Sequence, residues 1–107
     1  MAEKSTKRRM LETSLADDPT DLFLRYGLAL QCLRDGDVDE GRERMNALIA
    51  DSPEDQIAAY QQLGQSYMEA NEPAAARTYF TLGIAKAEAR GDRHAAAEMS
   101  GFLSQID

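Results

Sequence analysis

The sequence predicts an all-α fold, an antiparallel array of helix pairs, and three observations carry that prediction. Turn signals recur roughly every 17 residues, at Asp18-Pro19, Gly36-Asp37, Ser52-Pro53, Asn71-Glu72-Pro73 and Gly91-Asp92. The pieces between them are rich in Ala, Leu, Glu, Gln and Arg, which favour helix, and none shows the alternation of a strand. The chain also repeats itself. Leu28 and Ala29 fall 35 residues before Leu63 and Gly64, and Gly41, Met45 and Leu48 fall 35 before Ala76, Phe80 and Gly83. Cys32 precedes Tyr67 by the same step, and Pro19 precedes Pro53 by 34.

Each element follows from this overlay. Leu11, Ser14, Leu15 and Pro19 match Met45, Leu48, Ile49 and Pro53, so the first helix is the second half of a repeat whose first half is missing. Two full repeats follow, about residues 20–53 and 55–90. After Asp92, the residues Ala95, Met99, Phe102, Leu103 and Ile106 line one helical face, as a capping helix over about 93–106 requires. Small residues belong where paired helices cross: Ala29 and Gly64 on the first helix of each pair, Gly41 and Ala76 on the second. Leu28, Leu63, Tyr60, Tyr67, Met45 and Phe80 interlock around them.

Read in place, Tyr60, Leu63, Gly64 and Tyr67, then Ala76 and Phe80, spell Y-x2-L-G-x2-Y followed by A-x3-F. This resembles the tetratricopeptide (TPR) repeat, a helix–turn–helix unit of about 34 residues. The likeness extends from about Met10 to Asp107 and is strongest in the second repeat; in the first, Arg25 stands at the usual aromatic position and Gly41 at the usual alanine. The stretch Leu11–Ala29 is also similar to the opening of small stand-alone bacterial TPR proteins. The resemblance implies a right-handed α-solenoid and a non-enzymatic, scaffold-like protein-binding module.

Composition sets the bounds. A chain of 107 residues is the size of one domain, here 10–107, behind a basic N-terminal arm, 1–9, read as solvated and mobile. Hydrophobic residues at 43% and charged residues at 29% suit a water-soluble globule, with no apolar run long enough for a membrane. Met1–Met10 carries four basic residues and one acidic; with a net charge of −7, the rest of the chain holds −10. An acidic body argues against nucleic acid as partner. The absence of a secretory signal and the single cysteine, Cys32, point to a cytoplasmic protein.

Little in the sequence suggests chemistry. Asp35, Asp37 and Asp39 open like an EF-hand loop, but Glu40 fills its glycine place and Asn46 its glutamate place, so they read as an ordinary turn leading into a helix. Cys32 reads as a buried apolar residue, and His94, the one histidine, as exposed. The methionines read as core filling, with Met68 facing a groove. No catalytic residue, metal ligand or cofactor is expected.

In TPR proteins the first helix of each pair lines a concave groove. By register, the resemblance places Phe23, Tyr26, Leu30, Leu33 and Arg34 there from the first repeat, and Ala58, Gln61, Gln62, Gln65, Met68 and Glu69 from the second. The Lys, Asn and Arg clamp with which some family members hold a peptide carboxylate has Tyr, Leu and Gln in its places here. The expected ligand is therefore an apolar or amide-rich protein segment, such as an amphipathic helix. The alternative is a homodimer, formed through the groove or an exposed end.

Overall fold

The computed structural model describes residues 4–106. Among these the regular elements are six helices: α1 (Thr6–Asp17), α2 (Leu22–Arg34), α3 (Val38–Asp51), α4 (Ile57–Glu69), α5 (Pro73–Ala89) and α6 (Arg93–Ser104). α2 and α4 begin 35 residues apart, as do α3 and α5, which is the repeat step of the sequence. The chain forms two compact units, one ending at Asp51 with α1–α3, the other starting at Ser52 with α4–α6. The division falls at the turn that the repeats place at Ser52–Pro53.

The turns within the pairs are set by backbone geometry. Gly36 and Asn71, one repeat apart, both have positive φ, 88° and 59°. Each sits just beyond a helix end, where a left-handed residue lets the chain fold back onto the last carbonyls. The closing bonds are alike: Asp37 N–H donates to the Cys32 carbonyl at 2.9 Å, and Glu72 N–H to that of Tyr67, also at 2.9 Å. Gly91, at φ 72°, ends α5 in the same way, with Asp92 N–H reaching the Ala87 carbonyl at 2.8 Å. Ser5, Asp21 and Asp92 start α1, α2 and α6 by accepting a backbone N–H three residues on.

In the first unit, Leu28, Ala29 and Cys32 of α2 are buried with Gly41, Met45 and Leu48 of α3. A Cβ at Gly41 would lie 2.6 Å from Leu33 Cδ2, so α2 and α3 meet too closely there for any side chain. Arg25, in the place of Tyr60, is half-buried and ends in an ion pair with Asp51 at 2.9 Å. Its stem can cover apolar surface while its head stays wet.

The second unit repeats this with larger residues. A Cβ at Gly64 would lie 2.5 Å from Phe80 Cε1, and one at Gly83 2.5 Å from Met99 Sδ. Phe80 stacks on Phe102 of α6, with ring centroids 5.4 Å apart, and Tyr67 stacks on Tyr79 at 5.6 Å. Ala76, Phe80, Ala87 and Met99 form the buried centre, with Ala95, Phe102, Leu103 and Ile106 of the last segment against it. This is the face that the sequence assigns to the capping helix.

Of the basic arm expected over residues 1–9, residues 1–3 lie outside the described residues. α1 starts at Thr6, and Arg8, expected in solvent, is 1% exposed, the one fully buried side chain of its helix.

Gly36→Ala and Gly91→Ala are each expected to lower the unfolding free energy by about 1 kcal/mol, the cost of placing a Cβ in a left-handed conformation, and Asn71→Ala by less, because asparagine already carries a Cβ and only its easier access to that conformation is lost. Asn71→Gly should leave it unchanged or raise it. Urea unfolding of the four variants checks both signs.

Candidate functional site

Three places in the chain could carry function: the aspartate turn, the isolated Cys32 and His94, and the open face of the first helix in each pair.

The aspartate turn is structural. Asp35 accepts from Gln31 Nε2 at 2.9 Å and from the Ser5 hydroxyl at 2.8 Å, and these bonds hold its carboxyl below its ordinary range. Asp37 and Glu40 pair with Arg8 Nη2 at 3.2 and 2.9 Å. Glu40 also accepts from Arg44 Nε at 2.9 Å; that bond, then the charges of Arg44 and Arg8, outweigh burial and lower its pKa. For Arg8 itself burial acts to lower the pKa, but Cys32, Asp37 and Glu40 together raise it, so the group stays charged. Its Nε and Nη1 are buried without a hydrogen bond, although Glu12 lies 3.9 Å from Nε. The sequence hides this network, because Arg8 sits in a basic run and its partners lie far along the chain. Among the described residues no group of three His, Cys, Asp or Glu is placed to hold a metal.

Cys32 is buried, with Sγ 3.6 Å from Glu40 Oε2, and burial pushes its pKa up, so it is a neutral thiol rather than a nucleophile. His94 is 88% exposed and touches only Glu98, at 3.5 Å.

The groove residues divide. Phe23 is 84% exposed, Arg34 and Glu69 are exposed, and Tyr26 and Leu30 are half-buried. Leu33 is half-buried and packs on Gly41 at the α2–α3 crossing. Met68, one repeat on, is likewise half-buried and packs against the core of the second unit.

Gln61, Gln62 and Gln65 are half-buried on α4, on the side away from Leu63 and Gly64. No hydrogen bond within the described chain engages their amides. Gln61 and Gln62 line a cavity of about 660 Å³ with Ile57 and Ala58 of α4, Ala95 and Glu98 of α6, and Asp55, Arg90 and Asp92 of the adjoining turns. The sequence places Ala58, Gln61 and Gln62 on this face; it gives no hint that α6 forms the opposite wall.

The comparisons with known proteins agree with this geometry. A TPR repeat-containing protein of Pseudomonas aeruginosa is 32% identical over 97 residues, covering 91% of this chain and 91% of that protein. The chain belongs to the TPR repeat-containing proteins. The solution structure of a protein from Bordetella parapertussis matches the fold with a TM-score of 0.84, covering 95% of this chain and 88% of that one, at 24% identity. No family model matches. Membership of the TPR family supports a protein–protein interaction module, and no described helix is long and apolar enough to cross a membrane.

The aspartate turn predicts a pH dependence. Asp35 and Glu40 have folded pKa values below their unfolded ones, so their contribution is complete above about pH 5 and is lost as pH falls through the folded values. The melting temperature should therefore drop on acidification from about pH 5 to pH 3. The drop should be shallower in Arg8→Met, which removes one of the charges that favour ionised Glu40.

Proposed function

We propose that this TPR protein is a non-enzymatic adaptor that binds a peptide or helical segment of another protein in a groove at the open face of α4. The observation that carries this reading is the cavity between α4 and α6, where Gln61 and Gln62 present amides with no hydrogen-bond partner among the described residues. Half-buried amides are suited to bond a peptide backbone, which offers donors and acceptors in alternation. The small side chains of Ala58 and Ala95 leave room for a ligand between the two walls. Chemistry is not supported: Cys32 is a buried neutral thiol, and the acidic turn is occupied by Arg8, Arg44, Ser5 and Gln31. The composition and the acidic body favour a cytoplasmic protein that binds neither nucleic acid nor membrane.

A second reading, self-association as a homodimer, has one observation in its favour. Phe23 stands 84% exposed at the start of α2, beside Leu22 at 40%. Burying a phenylalanine side chain is favourable by about 1.5–3 kcal/mol, and a second copy could cover it.

A selection of random 12-residue peptides on the purified protein distinguishes these readings, with light scattering at micromolar concentration beside it. The expected result is a monomer whose selected peptides bind Ala58→Trp, with its cavity filled, at least tenfold more weakly, and bind Leu82→Ser on α5 as they bind the unmodified protein. Peptides indifferent to Ala58→Trp would overturn the groove. A dimer that Phe23→Glu converts to monomer would establish the second reading.

A further inference from the structure

We propose that the segment bound between α4 and α6 is cationic: lysine or arginine side chains placed against Glu98 and Asp92, with the adjoining backbone on Gln61 and Gln62. The proposal rests on the reading of this cavity as a peptide site and specifies its ligand.

The charges that line the cavity are Asp55, Arg90, Asp92 and Glu98. Arg90 Nη1 pairs with Asp55 Oδ1 at an exposed position, so the one cation of the lining is balanced by one carboxylate and the four charges sum to −2. Two carboxylates remain. Asp92 accepts the Ala95 N–H at 3.0 Å through Oδ1, a cap that uses one oxygen and leaves the charge in place. Among the described residues Glu98 has one ion-pair partner, His94 at 3.5 Å, which is almost fully exposed and is charged only when protonated. Such an exposed pair holds a carboxylate only weakly. The field in the cavity is therefore that of two negative charges facing unpartnered amides.

The apolar lining fits the same ligand. Ile57, Ala58 and Ala95 give a short apolar floor beside the carboxylates. Lysine and arginine need this combination, because their methylene stems bury against apolar surface while the charged head reaches outward. An acidic segment would meet a lining whose charges sum to −2, with Arg90 shared with Asp55. At longer range the chain, at −7 overall, draws cations and repels anions, which speeds the approach of a basic segment.

The other acidic cavity is a control. In the first unit Asp37, Asp39, Glu40 and Glu43 line a space of about 590 Å³ with Arg44. There Asp37 and Glu40 are already paired with Arg8. Neutralising Asp39, which is exposed, changes the net charge as much as neutralising Glu98, without touching the α4–α6 site.

The test uses two labelled 14-residue peptides on one Ala, Leu and Gln scaffold, one with four lysines and one with four glutamates, titrated with the full chain by fluorescence anisotropy. The lysine peptide should bind at least tenfold more tightly than the glutamate peptide. Its affinity should fall at least fivefold in Glu98→Gln, less than twofold in Asp39→Asn, and further as salt rises. Equal binding of the two peptides, or equal losses in Glu98→Gln and Asp39→Asn, would overturn the proposal, the second by revealing unspecific attraction to an acidic surface. Selected peptides that bind the cavity while the lysine peptide does not would overturn the cationic ligand alone. Binding of the lysine peptide that Ala58→Trp leaves intact would overturn the peptide site itself.

Discussion

The close approach of paired helices is the constraint on which the other features depend. At Gly41 and Gly64 the neighbouring helix comes so near that a single added carbon would overlap Leu33 or the Phe80 ring, and Gly83 lies equally close to Met99. Interiors are packed densely enough that such an overlap forces the neighbouring side chain or backbone to shift. A helix pair this tight needs a sharp turn, which Gly36 and Asn71 provide by entering the left-handed region. It also uses one face of the first helix for structure, along Tyr60, Leu63 and Gly64, and so leaves the other face of α4 for Gln61, Gln62 and Gln65.

Much of this was legible because it is periodic. The 35-residue overlay paired Leu63 with Leu28, Gly64 with Ala29 and Phe80 with Met45, and all of these are buried. The two turns that close with the same hydrogen bond, at Asp37 and Glu72, are the ones the sequence punctuates with Gly36 and Asn71. Arg8 was not legible, because nothing local separates a buried arginine from its exposed neighbours Lys7 and Arg9. Its burial is decided by Asp37 and Glu40, residues on a different element. The inward packing of Leu33 and Met68 was not legible for a related reason. Their positions lie near the boundary between the crossing face and the open face, and the packing of Gly41 and Phe80 decides which they join.

The family gives the class of work, and the site gives what is particular to this chain. TPR membership rests on a relative at 32% identity across almost the whole chain, and it implies protein binding without a ligand. The residues that carry the family signature are mostly core, so they account for the fold. The proposed function rests on the α4–α6 cavity, lined by two amides, the carboxylates of Asp92 and Glu98, and the Arg90–Asp55 ion pair. The wall contributed by α6 gives a capping helix a second task, covering the core with Met99 while presenting Glu98 to the cavity.

That division of α4 into a structural face and a free face can be measured without knowing any partner. Urea unfolding of an alanine scan from Ile57 to Glu69 tests it most directly. Alanine at Tyr60 or Leu63 should cost about 2–5 kcal/mol, as expected for buried large side chains. Alanine at Gln61, Gln62 or Gln65 should change stability by less than about 0.5 kcal/mol, as at a surface position with no structural role. A loss above about 1 kcal/mol at any of the three glutamines would show that it is engaged in holding the fold, and would contradict the account.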